Sequence, residues 1–338
     1  MFNKFIKTIV FIWLVILIVG CQKTSDYVLI NGFTMGTSYQ VTLDDPHKKA
    51  VDIHQQIESE LRLINQQMST YIDDSNLSLF NQTNSTECQA LPRAVIKVIA
   101  NAREVSVQTN GKFDATLSPL IEEWGFDKKQ TNNQVPTEQR ISDLLAKTGY
   151  DKLTIQSDCV QKSIAELSVN LSAIAKGYGV DRVAQIVEQN GIENYLVEIG
   201  GETASKGVNP SSKPWRLAVE APVQQRQIQQ VFSPLNKGVA TSGDYRNYFE
   251  KDGIRYSHTI DPTTGKPITH NLASITVLHQ QTMLADAYAT AFMVMGEVDS
   301  LEFANQRNIP VYLIVKTDTG FETIANDAFK THISAAEK

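Results

Sequence analysis

The segment Val169-Asn170-Leu171-Ser172-Ala173-Ile174-Ala175-Lys176-Gly177-Tyr178-Gly179-Val180-Asp181 constrains the fold more than any other part of the chain. It reads as the end of an apolar strand that passes through small residues into a helix. The first helical turn carries a lysine and two glycines. Small residues allow a ligand to approach the backbone closely, and a helix start offers free N–H groups and a positive dipole end. A lysine beside such a turn points to a bound phosphate.

The N-terminus carries a different kind of signal. Lys4 and Lys7 precede an apolar stretch from Ile9 to Val19, which ends at Gly20-Cys21. A charged start, a short apolar core and a small-residue exit are the parts of a secretory signal. The stretch is short for a membrane helix, which needs roughly 20 apolar residues; an uncleaved anchor helix is the alternative. Ile18-Val19-Gly20-Cys21 resembles a bacterial lipobox. The expected organisation is a signal peptide over 1–20 and a single domain over 21–338, lipidated at Cys21. Such a protein is anchored to a membrane of the cell envelope and faces the periplasm. Cys88 and Cys159 remain; they can join in one disulfide or stay as two free thiols, and neither has metal-ligand spacing.

The net charge of -6 and the absence of a basic stretch exclude nucleic acid as a partner. No repeat or low-complexity segment is present, and Lys128 to Pro136 reads as an exposed polar loop. Tyr39, Val41 and Leu43 alternate as in a half-buried strand, and Ile53, Ile57, Leu61, Ile64 and Met68 recur at helical spacing. Val95, Val98, Ala102 and Val105 mark a second amphipathic helix with Pro92 near its start. A helix after Lys176 is expected to bury Val180, Val183 and Val187, and another covers Met283 to Met295. Strands are expected at Ile164–Val169, Tyr195–Ile199, Trp215–Val219, Ala273–Leu278 and Val311–Val315. Strands and helices do not alternate regularly, so the class is α+β, a mixed sheet with packed helices.

Several constellations could carry chemistry. Asp286 and Thr290 lie one helical turn apart, so a carboxylate and a hydroxyl share a face and can bind a hard cation. His258 precedes the turn Asp261-Pro262-Thr263-Thr264-Gly265 and could serve as a general base or merely bond to the turn. Thr241-Ser242-Gly243-Asp244 can offer hydroxyls and N–H groups to a phosphate, and Asp114 stands beside the aromatic group Phe113, Trp124 and Phe126. No GxxxxGK, GxGxxG, GxSxG or HExxH motif occurs, which removes the enzyme classes those motifs mark.

In order, the chain carries Phe33-Thr34-Met35-Gly36-Thr37, Met68-Ser69-Thr70-Tyr71, Gly111-Lys112-Phe113-Asp114 and Asn170 to Asp181. Gly200-Gly201-Glu202, Ala240-Thr241-Ser242-Gly243, His258 to Gly265 and Asp286-Ala287-Tyr288-Ala289-Thr290 follow. This series resembles the ApbE family of FAD:protein FMN transferases. The resemblance implies an ApbE-like fold and Mg²⁺-dependent transfer of FMN from FAD to a threonine hydroxyl of a target protein, releasing AMP. The implied targets are exported or membrane-bound electron-transfer flavoprotein subunits. It also implies that the Ala173 carbonyl, Asp286 and Thr290 bind Mg²⁺, and that Met35, Tyr71, Lys112, Phe113, Asp114 and Asn170 contact FAD. Lys176, Thr241, Ser242 and Ile260 complete the implied nucleotide site, with His258 as the base. Position 170 is often aspartate in this family and is asparagine here, which keeps an acceptor but loses the charge a metal contact would use. Two rival readings are an Mg²⁺-dependent FAD pyrophosphatase yielding FMN and AMP, and a non-catalytic FAD-binding lipoprotein.

Overall fold

The run Val311-Tyr312-Leu313-Ile314 lacks the polar alternation of a half-solvated strand. In the computed structural model all four residues are buried, which requires cover on both faces of the sheet. The structure describes residues 27–45, 47–126, 134–223, 227–245 and 247–337. The leader with Cys21, and residues 128–133 of the expected polar loop, lie outside the described residues.

Strands β1 (Tyr27–Thr34) and β2 (Thr37–Asp44) lead into helix α1 (Ala50–Met68). Helix α2 (Asn76–Gln82), strand β3 (Gln89–Ala90) and helices α3 (Arg93–Gln108), α4 (Ser118–Glu123) and α5 (Glu138–Leu145) follow. Next come β4 (Leu153–Ile155), β5 (Cys159–Lys162), helix α6 (Ala175–Gln189), β6 (Tyr195–Ile199) and β7 (Glu202–Lys206). β8 (Leu217–Glu220) and β9 (Ile228–Phe232) form a separate ribbon before β10 (Gly238–Gly243). Two small hairpins pair β11 (Tyr248–Lys251) with β12 (Ile254–Ser257) and β13 (Ile260–Asp261) with β14 (Lys266–Pro267). β15 (Leu272–His279), helix α7 (Thr282–Gln306), β16 (Val311–Thr317), β17 (Gly320–Ala325) and helix α8 (Asp327–Ala336) complete the chain.

The central sheet has the order β1-β2-β6-β7-β10-β15-β16-β17, and all its ladders are antiparallel. On one face, α1 and α6 cover β1, β2 and β6, while α3 and α7 cover β15 and β16. The α1 residues Ile53, Ile57, Leu61, Ile64 and Met68 are all buried, each contributing roughly 1.5–3 kcal/mol of hydrophobic stabilisation. Val180, Val183 and Val187 of α6 are equally buried, as their spacing predicts. On the other face, Phe329 of α8 packs on Phe232 of the β8–β9 ribbon and on Tyr312, with ring centroids 5.1 and 5.4 Å apart. The class is α+β, as the sequence implies.

Three expectations need correction. Ile164–Val169 is not a strand: Leu167, Val169 and Leu171 alternate inward, but the Asn81 side chain occupies the place of a neighbouring strand. Its amide accepts from Val169 N–H and donates to the Val169 carbonyl, both at 2.8 Å. The strand expected at Trp215 starts at Leu217 instead, because the Trp215 indole turns back to donate to the Lys206 carbonyl at 2.9 Å. The helix from Met283 continues past Met295 to Gln306 after a break at Gly296, where φ is 80°. The cysteines, left open by the sequence, form a Cys88–Cys159 disulfide between the segment after α2 and β5.

The glycines opening α6 serve packing. A Cβ on Gly177 would lie 2.4 Å from the Thr282 carbonyl oxygen and 2.7 Å from Met283 Cα, both on the α7 backbone. Gly177→Ala is therefore expected to destabilise the protein by about 1–3 kcal/mol through forced separation of α6 and α7. A variant that unfolds thermally at the wild-type temperature would show that the two helices do not meet so closely.

Candidate active site

The start of α6 and the start of α7 hold one another. The Gly177 N–H, in the first turn of α6, donates to Asp286 Oδ2 on α7 at 3.0 Å. In return Asp181 on α6 accepts from the Thr282 and Met283 N–H groups of α7, at 2.8 and 3.0 Å. Each helix thus lends an aspartate to the unsatisfied N–H groups of the other. Asp286 is buried by this exchange, and burial pushes its carboxyl above the usual range against the opposing pull of Lys176 and the Gly177 N–H.

Asp286 and Thr290 line a cleft of about 920 Å³. Ser242 Oγ lies 3.5 Å from Thr290 Oγ1, and Ala173 lines the same wall. Among the described residues no cluster of three or more His, Cys, Asp or Glu is placed to hold a metal. One carboxylate with hydroxyl and carbonyl oxygens nevertheless has the chemistry that suits Mg²⁺, which takes one or two carboxylates and fills its other positions with water and phosphate. The residues fit such an ion.

Lys176 lines the cleft, but its Nζ is 2.5 Å from Glu202 Oε1. Burial pulls its pKa down, yet Asp286 and Glu202 outweigh that and hold the ammonium protonated. Burial lifts the Glu202 carboxyl to about 7, although Lys176 opposes the shift. Glu202 Oε2 is buried without a hydrogen-bond partner. Glu202 has no sequence signal beyond an acid directly after Gly200 and Gly201, whose φ values of 59° and 104° turn the chain into β7.

His258 follows β12 and is half-buried at the cleft. Its Nδ1 lies 3.0 Å from the Asn247 carbonyl, which also accepts the His258 backbone N–H at 3.1 Å. A carbonyl can only accept, so Nδ1 carries the proton and Nε2 keeps its lone pair. Burial lowers the imidazole pKa, which keeps the ring neutral near pH 7. The ring meets Phe126 edge-on, at 6.3 Å between centroids.

The other expected residues divide by the state of their polar atoms. Lys112, Phe113, Thr241, Ser242 and Ile260 line the cleft, with the Lys112 ammonium 3.2 Å from Asp261 Oδ2 and Thr241 Oγ1 2.8 Å from Thr276 Oγ1. Asp114 also lines it, but Oδ1 accepts from the Thr116 N–H and hydroxyl at 2.7 Å, and Oδ2 from the Tyr150 N–H at 3.0 Å. Asn170 lines it with its carbonyl oxygen accepting from Ser172 N–H at 2.9 Å. Tyr71 stands at the cleft with 59% exposure.

Met35 is the exception. It is not among the residues lining the cleft. It occupies the β1–β2 turn with φ 50°, followed by Gly36 at φ 73°, and its side chain packs against the cores under α6 and α7. Thr37 and Ser38 from the same hairpin line the cleft instead.

The ApbE family model matches residues 35–313. The FAD:protein FMN transferase of Vibrio cholerae is 45% identical over 330 residues, which span 95% of this chain and 99% of that one. The protein of the same name from Haemophilus influenzae is 41% identical over 338 residues, covering 97% and 98%. Among solved structures, the flavin transferase ApbE from Vibrio cholerae superposes with a TM-score of 0.85 at 42% identity, covering 90% of this chain and 99% of that chain. The apo flavinyl transferase ApbE of Pseudomonas stutzeri gives 0.83 at 38% identity, covering 91% and 96%.

The His258 environment sets its titration. Its folded pKa lies below the ordinary value of about 6.5, so the unfolded chain binds this proton first and the group costs stability as pH falls through about 6.5. A histidine-resolved NMR titration is expected to give His258 a midpoint below 6.5. A midpoint well above 7 would mean that the ring is charged in the resting site near neutral pH and cannot be its base.

Proposed function

The chain belongs to the ApbE family, and on that premise we propose that it is a flavin transferase moving FMN from FAD to a threonine hydroxyl of a target protein, with release of AMP. One observation carries this reading. A single cleft holds the Asp286–Thr290–Ser242 oxygen set, the Lys176 ammonium and a neutral His258 whose Nε2 is available.

The chemistry requires an in-line nucleophile, neutralised phosphate oxygens and a base. A bond forms from the threonine oxygen to the FMN phosphorus, and the pyrophosphate bond to AMP breaks. The threonine proton passes to His258 Nε2, and the Asn247 carbonyl holds the ring in the tautomer that can receive it. Lys176 places a fixed positive charge beside the phosphates, and Glu202 restrains its ammonium. Asp286, Thr290 and the Ala173 carbonyl would hold Mg²⁺, which would supply charge neutralisation at the pyrophosphate. Tyr71 offers a stacking surface for an aromatic ring of FAD.

Two features of the chain support a compartment outside the cytoplasm. The lipobox-like Ile18-Val19-Gly20-Cys21 favours a lipid-anchored protein of the cell envelope facing the periplasm. The Cys88–Cys159 disulfide supports an oxidising compartment. Confinement to a membrane surface raises the effective concentration of enzyme and membrane-bound flavoprotein targets for one another.

The deciding experiment mixes the soluble domain from Gln22 onward with FAD, Mg²⁺ and an exported flavoprotein subunit carrying the acceptor threonine. A fluorescent acceptor band on a denaturing gel, dependent on Mg²⁺ and on that threonine, is the expected result. Released AMP without a labelled band would make the protein an FAD pyrophosphatase; intact bound FAD would make it a carrier. Asp286→Asn keeps an acceptor for the Gly177 N–H but loses the charge. It is expected to lower transfer by about 10²–10³-fold, while FAD binding falls less. His258→Ala is expected to retain FAD and slow transfer by about 10²–10⁴-fold. Transfer at the wild-type rate by either variant would remove that residue from its role.

A further inference from the structure

Of the run Thr241-Ser242-Gly243-Asp244, the first three residues line the cleft and Asp244 does not. Asp244 is buried just after β10, where its N–H donates to the Ala273 carbonyl of β15 at 3.0 Å. Its Oδ2 lies 2.5 Å from Lys316 Nζ of β16. Arg255 of β12 reaches the same residue twice. Its Nη2 donates to the Asp244 carbonyl at 2.5 Å, and its Nη1 lies 3.5 Å from Oδ2. The guanidinium also lies over the Tyr248 ring of β11, 4.0 Å from the centroid.

These contacts bear on His258 through the hairpin that carries it. β11 and β12 pair with one another and with no other strand among the described residues. A lone two-stranded hairpin is marginally stable in water, so its place is set by what it packs against. Side chains alternate along a strand, and the two faces of this hairpin are held differently. On one face Phe249 and Tyr256 stack at 5.0 Å and pack on Phe126 and Trp124, each pair 5.6 Å apart between centroids. On the other face Arg255 meets Asp244. Apolar burial is non-directional, whereas the guanidinium fork fixes a direction. His258 follows Arg255 by three residues, and Asn247, whose carbonyl sets the ring's tautomer, follows Asp244 by three.

The ion pair is poorly built for stability alone. Asp244 Oδ1 and Arg255 Nε are both buried without a partner, and desolvation of such an under-satisfied pair offsets much of its attraction. We propose that Asp244 and Arg255 are positioning residues for the base: their contact locks the β11–β12 hairpin to the end of the central sheet and so holds His258 and Asn247 in place. Neither lines the cleft, so both act through His258. This rests on the reading above that His258 is the base of the transfer. A base must stand within hydrogen-bond reach of the proton it takes, and a displacement of about 1 Å can cost about 10²-fold in rate.

AMP release from FAD, with Mg²⁺ and an acceptor subunit present, tests this in the wild type, Arg255→Lys, His258→Ala and the double variant. Lysine keeps the positive charge beside Asp244 but lacks the planar fork that bonds two oxygens at once. Arg255→Lys is expected to lower kcat about 10–100-fold, while the acceptor KM and the FAD affinity stay within about twofold of wild type. In the His258→Ala background the same change is expected to cost nothing further, because residues that act through one group are non-additive. An unchanged kcat in Arg255→Lys would overturn the proposal. So would a double variant slower than His258→Ala by the full single-variant factor, since the loss would then be general loosening. Asp244→Asn keeps the side-chain shape and the carbonyl that Arg255 uses. It is expected to show the same pattern and serves as the test should Arg255→Lys fail to fold. If His258→Ala releases AMP at the wild-type rate, the base reading and this proposal fall together. AMP release without a labelled acceptor removes the transferase reading alone, because the same base would act on water and the kcat comparison still decides the role of Arg255.

Discussion

The exchange of aspartates between α6 and α7 fixes the position of the cleft wall that carries Lys176, Asp286 and Thr290. Asp286 accepts from the first turn of α6, and Asp181 accepts from the first turn of α7. Each such cap is worth on the order of 0.5–2 kcal/mol, and a carboxylate near a helix N-terminus gains further from the dipole. Either acid can move only by uncapping the partner helix. Gly177 makes the arrangement possible, because its missing side chain lets the α7 backbone approach to where a Cβ would stand. Lys176 and Thr290 ride on the same two helices, so their separation is set by backbone contact rather than by side-chain preference.

The electrostatics at this junction explain why the site suits a cation. With Asp286 and Glu202 ionised and Lys176 protonated, the three side chains carry charges of -1, -1 and +1, a net of -1. A pyrophosphate entering such a site alone meets repulsion in a partly desolvated place, where charges are weakly screened. Burial raises both carboxyls, Glu202 to about 7, which shows that the pair is costly as it stands. A divalent hard cation reverses the sign of the site and satisfies Asp286 at once. Removing Lys176 alone would leave two buried acids uncompensated, a far larger penalty than losing a surface pair.

Much of the frame was legible because burial follows period. Ile53, Ile57, Leu61, Ile64 and Met68 recur at helical spacing and all face the core, and the apolar run Val311–Val315 marks a strand that the structure shows. The order of short motifs carried the family, and nearly all residues it implied meet in one cleft. What stayed hidden depends on partners distant in sequence. Leu167, Val169 and Leu171 have strand alternation, yet an asparagine 88 residues away replaces the neighbouring strand. The glycines at 177 and 179 resembled a ligand-approach motif, but the first accommodates another helix, and the second stands where a Cβ would come within 3.0 Å of the Met35 methyl. Glu202 had no periodic signal, since its importance lies in Lys176, 26 residues before it.

The segment leading into α6 shows how a loop without ladder bonds can hold site residues still. Lys162 at the end of β5 is fully buried, and its ammonium donates to the carbonyls of Phe80, Thr83 and Ala165. The first two lie at the C-terminal end of α2, where unsatisfied carbonyls and the negative dipole end favour a cation. Burial nevertheless pulls the Lys162 pKa down, so the carbonyls must replace its lost hydration. Asn81 from the same helix then clamps Val169, and the Cys88–Cys159 disulfide ties the chain after α2 to the start of β5. Three chemically different links thus join one short helix to one connecting segment. That segment ends at Asn170, Ala173 and Lys176, so these cleft-lining residues are held from one side by this strap and from the other by the helix caps.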